Sequence, residues 1–211
     1  MYMVASEIEQ VPSFDLSANW LCLDFVNTLE NRLKEDIQEY LNSYADLIAW
    51  SQQAGLLTEA GAQRLLAEAK GNPEEAAAVL LRARDLREVM YRLFLAIAEG
   101  THPVETDLDA LNAALARVMG HARIVPHEGG FIWDWEAGAD ELERPLWPII
   151  RSAADLLTGS ELHDVRVCAA EDCGWLFLDI SKNHTRRWCS MKSCGNRAKA
   201  RRHYNKEKTQ A

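Results

Sequence analysis

The sequence predicts an α+β fold, mostly helical: an N-terminal helical domain carrying a small β-hairpin, followed by a compact C-terminal module built on cysteines. Three observations predict it. Apolar residues recur at helical spacing through most of residues 43–119. Trp133 and Trp135 alternate with Ile132 and Asp134 beside a Glu128-Gly129-Gly130 turn, which reads as a hairpin. Four of the five cysteines fall between positions 168 and 194, as two equally spaced pairs. The boundary is expected near residue 160, giving domains 1–160 and 161–211.

With 48% hydrophobic and 26% charged residues, the chain has the balance of a soluble globular protein rather than a disordered one. Its length allows one medium domain plus a small module, with a core that needs no disulfides. The opening MYMVASEIEQ has neither the basic nor the apolar region of a signal peptide. No purely apolar run exceeds the six residues of Ala76–Leu81, too short to span a bilayer. A cytoplasmic protein with no membrane partner is expected.

Taken in order, Asn19–Arg32 (NWLCLDFVNTLENR) is the first informative stretch. Leu21, Phe25 and Leu29 fit a helix face, and a strand entering a helix fits as well. Asp24, Asn27, Thr28 and Arg32 interrupt the apolar residues. They either line a polar pocket for a small effector or hydrogen-bond within the core, as buried polar groups must. Cys22, unpaired in an apolar run, reads as a small buried hydrophobe. Ser43–Ala54 reads as a helix stopped by Gly55. Thr58 caps a second helix through Lys70, ended by Gly71. Asn72 as N-cap and Pro73 at the first position start a third, running to about Ala98, with Glu74 and Glu75 favourably placed on its dipole. Arg82, Arg84, Arg87 and Arg92 on it read as ordinary surface charge. A fourth helix covers Thr106–Met119, with Leu108, Leu111, Leu115 and Val118 inward. His121 and His127 flank the hairpin turn without partners for a metal. Arg144–Leu157 is a further helix, which Pro148 either limits to the residues after it or kinks.

The most informative stretch is 168–204, CAAEDCGWLFLDISKNHTRRWCSMKSCGNRAKARRHY. Cys168 and Cys173 form one C-x₄-C pair, Cys189 and Cys194 another, with fifteen residues between. Two such knuckles put four thiolates around one tetrahedral Zn²⁺. A catalytic zinc keeps a position open for water, and four cysteines leave none, so the metal is expected to be structural. Trp175–Leu178 reads as a strand leaving the first knuckle, and a helix is expected from about Cys194 to Asn205. Knuckle, hairpin, helix is a treble-clef-like zinc finger.

Charge is divided along the chain. From Gly174 onward ten Lys or Arg face only Asp179 and Glu207, a net of +8; the whole chain is −9, so the rest carries −17. Such a split points to a nucleic-acid contact region attached to an acidic body. On the terminal helix Arg197 and Arg201 share a stripe and are the expected base readers. Lys199, Arg202 and Lys206, with Arg186 and Arg187 before the second knuckle, are expected on phosphates.

Cys194-Gly195-Asn196-Arg197, the paired cysteine spacing, Trp175, Trp188-Cys189-Ser190 and the basic tail through Tyr204 resemble the bacterial CGNR zinc-finger family. The stretch LCLDFVNT at 21–28, followed by Arg32, resembles the opening of the ABATE domain found N-terminal to that finger. The resemblance implies a stress-induced transcription regulator: structural Zn²⁺ on the four cysteines, DNA as partner, and an N-terminal domain that senses an effector or forms a homodimer. A zinc-stapled RNA- or protein-binding adaptor fits the same charges. An enzyme does not: there is no G-x-S-x-G, Walker A or dinucleotide fingerprint, and His184 lacks the second histidine and open metal of a nuclease-like site.

Overall fold

The computed structural model describes residues 13–136 and 141–210; of residues 141, 203 and 205–210 it describes the backbone alone. The chain is mostly helical, as expected, and among the described residues three small antiparallel pairs of strands form, of which the pair at residues 29–39 is one the sequence reading did not anticipate. The ambiguous 19–32 stretch is a short helix, α1 (Leu21–Val26), that leads into β1 (Leu29–Glu30), which pairs with β2 (Gln38–Glu39). Helix α1 buries Cys22, Leu23, Phe25 and Val26, and packs against three other elements at the centre of the molecule.

The next helices start and stop where their caps dictate. α2 (Tyr44–Gln53) opens on a capping box: the Ser43 hydroxyl accepts the Asp46 N–H and the Asp46 carboxylate accepts the Ser43 N–H. α3 (Glu59–Gly71) starts at Thr58, whose hydroxyl accepts the Gly61 N–H. α4 (Pro73–Ala98) has Pro73 at its first position. Asn72 stands at the N-cap but does not cap α4. Its side-chain amide turns back to the Glu68 carbonyl and carboxylate, closing α3 instead. At 26 residues α4 is about 39 Å long, and α1, α2, α3 and α5 (Glu105–Met119) all pack on it. In α5 the inward residues are Leu111, Ala114 and Val118. Leu108 is 42% exposed, and Asp107 is buried in its place, held by Arg92 at 2.5 and 2.9 Å.

The hairpin forms as expected from β3 (Ala122–His127) and β4 (Gly130–Trp135), turning at Gly129 with φ +78°. Its tryptophans pack on α6 (Trp147–Thr158): Arg151 lies over the Trp133 ring, and Trp135 meets Trp147, on which His121 also stacks. A 3₁₀ turn at Glu141–Leu146 and Pro148 in the first turn of α6 set its start.

One arginine of α4 corrects the surface reading. Arg87 is 3% exposed. It donates to both Glu39 carboxylate oxygens at 2.6 and 2.7 Å, to Glu88 at 3.0 Å and to the Thr28 hydroxyl at 3.2 Å. Glu88 also receives a two-pronged bond from Arg32. Buried ions are tolerated only when paired on all sides, and this cluster ties β2 and the end of α1 to α4. Arg87→Ala leaves Glu39 with its main partner gone and is expected to cost about 3–5 kcal/mol in denaturant unfolding. Arg123→Ala, at the exposed pair with Asp134, is expected to cost under about 1 kcal/mol. Equal costs for the two would show that the buried cluster is not holding the helices together.

Candidate metal centre and the surfaces around it

After α6 a 3₁₀ turn (Ser160–Asp164) leads into β5 (Val165–Val167), which pairs with β6 (Leu176–Leu178) in register Val165↔Leu178 through Val167↔Leu176. Cys168 follows directly on β5 and Cys173 precedes β6, so the hairpin positions the first knuckle. The Cys168 N–H bonds the Trp175 carbonyl at 2.8 Å and extends the pairing past the strands. The second knuckle follows a loop organised by buried Asp179, whose carboxylate accepts the Ser181 N–H and hydroxyl and the Arg186 N–H. Met191–Gly195 forms one π-helical turn that delivers Cys194 to the cluster, and α7 (Asn196–Gln210) continues from it. At Gly195 a Cβ would come within 2.7 Å of the sulfur of Met191, a flexible and exposed side chain.

The four sulfurs of Cys168, Cys173, Cys189 and Cys194 lie within 4.8 Å of one another, all buried. Cys189 Sγ is 3.6 Å from both Cys173 Sγ and Cys194 Sγ. Four Zn–S bonds of about 2.3 Å at tetrahedral angles place sulfurs roughly 3.8 Å apart, so the set fits zinc. A disulfide would need about 2.05 Å. The Cys189 N–H faces Cys168 Sγ at 3.4 Å, and Arg197 donates to Cys194 Sγ at 3.1 Å. Such N–H···S contacts orient thiolates and spread their charge. With four sulfur ligands and no open position, the zinc is structural.

The expected nucleic-acid residues divide into three groups. Arg186 turns inward: its guanidinium donates to the Ser17, Trp188 and Cys189 carbonyls and lies over the Phe177 ring. Lys199 and Arg202 are exposed on α7, and Arg187 is exposed with its guanidinium over Trp188. Arg197 and Arg201 point toward the first knuckle. Arg201 bonds Glu171 at 2.8 Å and lies 3.9 Å from Asp172, which is also 3.7 Å from Arg197. Lys206 lies on α7, its side chain outside the described residues. Glu171 and Asp172 lie between the first two cysteines, ahead of the basic run that begins after Gly174, and pair with part of it. His184 faces Asp164, 2.8 Å from its carboxylate, and not the cysteines.

The expected effector residues divide too. Asn27 donates to the Leu176 carbonyl at 2.8 Å and accepts the Leu176 N–H at 3.1 Å, so both ends of its amide are spent. The Thr28 hydroxyl donates to the Phe25 carbonyl, and Arg32 is held by Glu88, the Val26 carbonyl and the Tyr91 ring. Asp24 accepts the Ala18 N–H at 2.8 Å. Asp24, Asn27 and Thr28 line a cavity of about 160 Å³ that reaches Cys173, Cys189 and Cys194; Arg32 does not line it.

Helices around a central α1 and α4, closed by a Cys₄ treble-clef finger with a polar terminal helix, define a zinc-finger protein. Residues 19–160 match the family model of the ABATE domain, described as "Putative stress-induced transcription regulator", and residues 165–207 match that of the CGNR zinc finger. The chain belongs to the ABATE family and carries a CGNR zinc finger, and neither family is a catalytic one. No curated protein matches it. Among the described residues, no helix is long and apolar enough to cross a membrane.

Burial raises Asp24 to about 6, and nearby Asp15 adds to this, while the Ala18 N–H and Arg186 act the other way. A carboxyl whose folded pKa lies above its unfolded value favours the native state at low pH, and that contribution is lost as pH rises through about 6. Asp24→Asn keeps an acceptor for Ala18 and removes the cost of ionisation. It is expected to raise stability at pH 8 by about 1–3 kcal/mol, with the gain shrinking toward pH 5. A gain that is the same at both pH values would contradict this.

Proposed function

We propose that the chain is a DNA-binding transcription regulator: α7 docks on the duplex, and the helical part senses a small effector. The carrying observation is α7 itself. Its first turn is fixed by Cys194 to the metal cluster, and its described cations Arg197, Lys199, Arg201 and Arg202 are exposed. A helix this polar has no apolar face to bury, and Arg187 adds to the same basic surface. The partner that complements it is a polyanion. Lys199, Arg202 and Arg187 are free to meet phosphates, whereas Arg197 and Arg201 must exchange Asp172 and Glu171 for DNA. Arg186 supports the loop that carries the second knuckle and is not assigned a DNA contact.

The reading is tested by fluorescence anisotropy with duplex DNA across a salt series. Three to five phosphate contacts give a log–log slope of about −3 to −4.5. Arg202→Ala is expected to weaken binding and to flatten the slope by about 1. Glu171→Gln, which frees Arg201, is expected to tighten binding. Absence of binding at low salt, or a slope near zero, would overturn the reading. Stronger binding to single-stranded RNA than to duplex at equal salt would assign the module to RNA.

A further inference from the structure

The β3–β4 hairpin has two edges, and they are not alike. The Glu136 N–H bonds the His121 carbonyl at 2.8 Å, and this bond sets the phase of the ladder. Bonded and non-bonded pairs alternate between antiparallel strands, so Arg123–Asp134, Val125–Ile132 and His127–Gly130 are the bonded pairs. The residues between them turn their backbone groups outward: Ala122, Ile124 and Pro126 along β3, Phe131, Trp133 and Trp135 along β4. Pro126 has no N–H and blunts the β3 edge, as proline does on edge strands. The β4 edge has no such guard, since β4 contains neither proline nor lysine. Its Trp135 N–H goes to the Asp134 carboxylate. Among the described residues, no third strand pairs with the hairpin.

The side chains along that edge are apolar and largely uncovered. Residues opposite one another share a face, so Ile124, Pro126, Phe131, Trp133 and Trp135 lie on one face. At the base of the hairpin this face meets α6, where Trp135 meets Trp147 and Arg151 lies over Trp133. Toward the turn it overhangs, with Ile124 62% and Phe131 75% exposed. Ile132, on the other face, is 45% exposed and Trp133 39%. Together these four leave roughly 500 Å² of apolar surface in water, the size of patch that on a monomer is often functional. Two copies reach about 1,000 Å², where specific interfaces begin.

Charge and register fit a second copy to this edge. The one charged residue of β4, Asp134, is already paired with Arg123 at 2.7 Å. Two β4 strands laid antiparallel about Ile132 put Phe131 of each copy opposite Trp133 of the other, and Asp134 opposite Gly130. No like charges meet, and aromatic side chains pair across the strands. We propose that the chain forms a two-fold dimer through β4, joining two hairpins into one four-stranded antiparallel sheet. The outward N–H and C=O groups of Phe131 and Trp133 find their partners across the axis. Because the axis stands perpendicular to the sheet, α6 of both copies lies on the same side, and Phe131 of each copy comes against the base of the other's hairpin. The dimer carries two copies of α7, the form in which symmetric half-sites are read, but the pairing itself does not depend on the DNA reading.

The test is sedimentation velocity of the zinc-loaded full chain, without DNA, between about 1 and 100 μM, with amide hydrogen exchange at both ends of that range. A dimer with a micromolar dissociation constant is expected, at the weak end that so small an area allows. Protection of the Phe131 and Trp133 amides is expected to rise with concentration, while that of Ile132, already bonded to Val125, stays as it is. Phe131→Lys puts a charge on the edge and removes its most exposed ring, and is expected to weaken the dimer about tenfold or more. Leu81→Lys, at a leucine of α4 that is 60% exposed, is expected to leave it unchanged. Both variants retain zinc and helical circular dichroism. A chain still monomeric at the highest concentration, a dimer as tight in Phe131→Lys as in the parent, or an equal loss in Leu81→Lys overturns the proposal. Equal protection of Phe131 and Trp133 at both concentrations means that the edge is covered within one chain, and overturns it as well.

Discussion

The structure depends on how strand β6 is buried. Leu176, Phe177 and Leu178 are all inside, and a buried strand must satisfy its backbone along both edges. One edge pairs with β5. The other is closed by the N-terminal segment: the Asn27 amide takes both polar groups of Leu176, the Leu178 N–H bonds the Ala18 carbonyl, and the Asn19 amide donates to the Leu178 carbonyl. The helical part therefore completes the sheet of the finger. Since the first knuckle grows from the ends of β5 and β6, the metal cluster takes its position from the same core, and α7 takes its position from the cluster.

Charge is organised on two scales. Inside, Arg87, Glu39, Glu88 and Arg32 neutralise one another and join α4 to the β1–β2 corner. Outside, the acidic pair Glu171 and Asp172 draws part of the basic helix back onto its own module. An acidic body with a basic face steers a polyanion to one side of the molecule, and the self-pairing sets how much of that face is available at once.

What the sequence made legible was local. The cysteine spacing announces the zinc, Thr58, Ser43 and Pro73 announce helix starts, and the Gly-Gly turn announces the hairpin, because each signal lies within a few residues of its consequence. What was not legible depends on partners far along the chain. Arg87 reads as surface charge until Glu39, 48 positions away, closes on it. Arg186 reads as a phosphate contact until the Ser17 carbonyl, 169 positions away, receives it. Asn27 belongs to a polar cluster in the sequence, and only the fold reveals that it continues a strand 149 positions later.

The claim that the finger and the helical part share one core is tested most directly by amide hydrogen exchange before and after zinc is stripped by a chelator. Metal loss is expected to remove protection at Leu176 and Leu178 and to spread into α1 and the adjoining part of α4, at Asn27 and Met90. Protection lost only within residues 180–210, with α1 and α4 unchanged, would contradict the account and make the finger an appendage on an independent helical body.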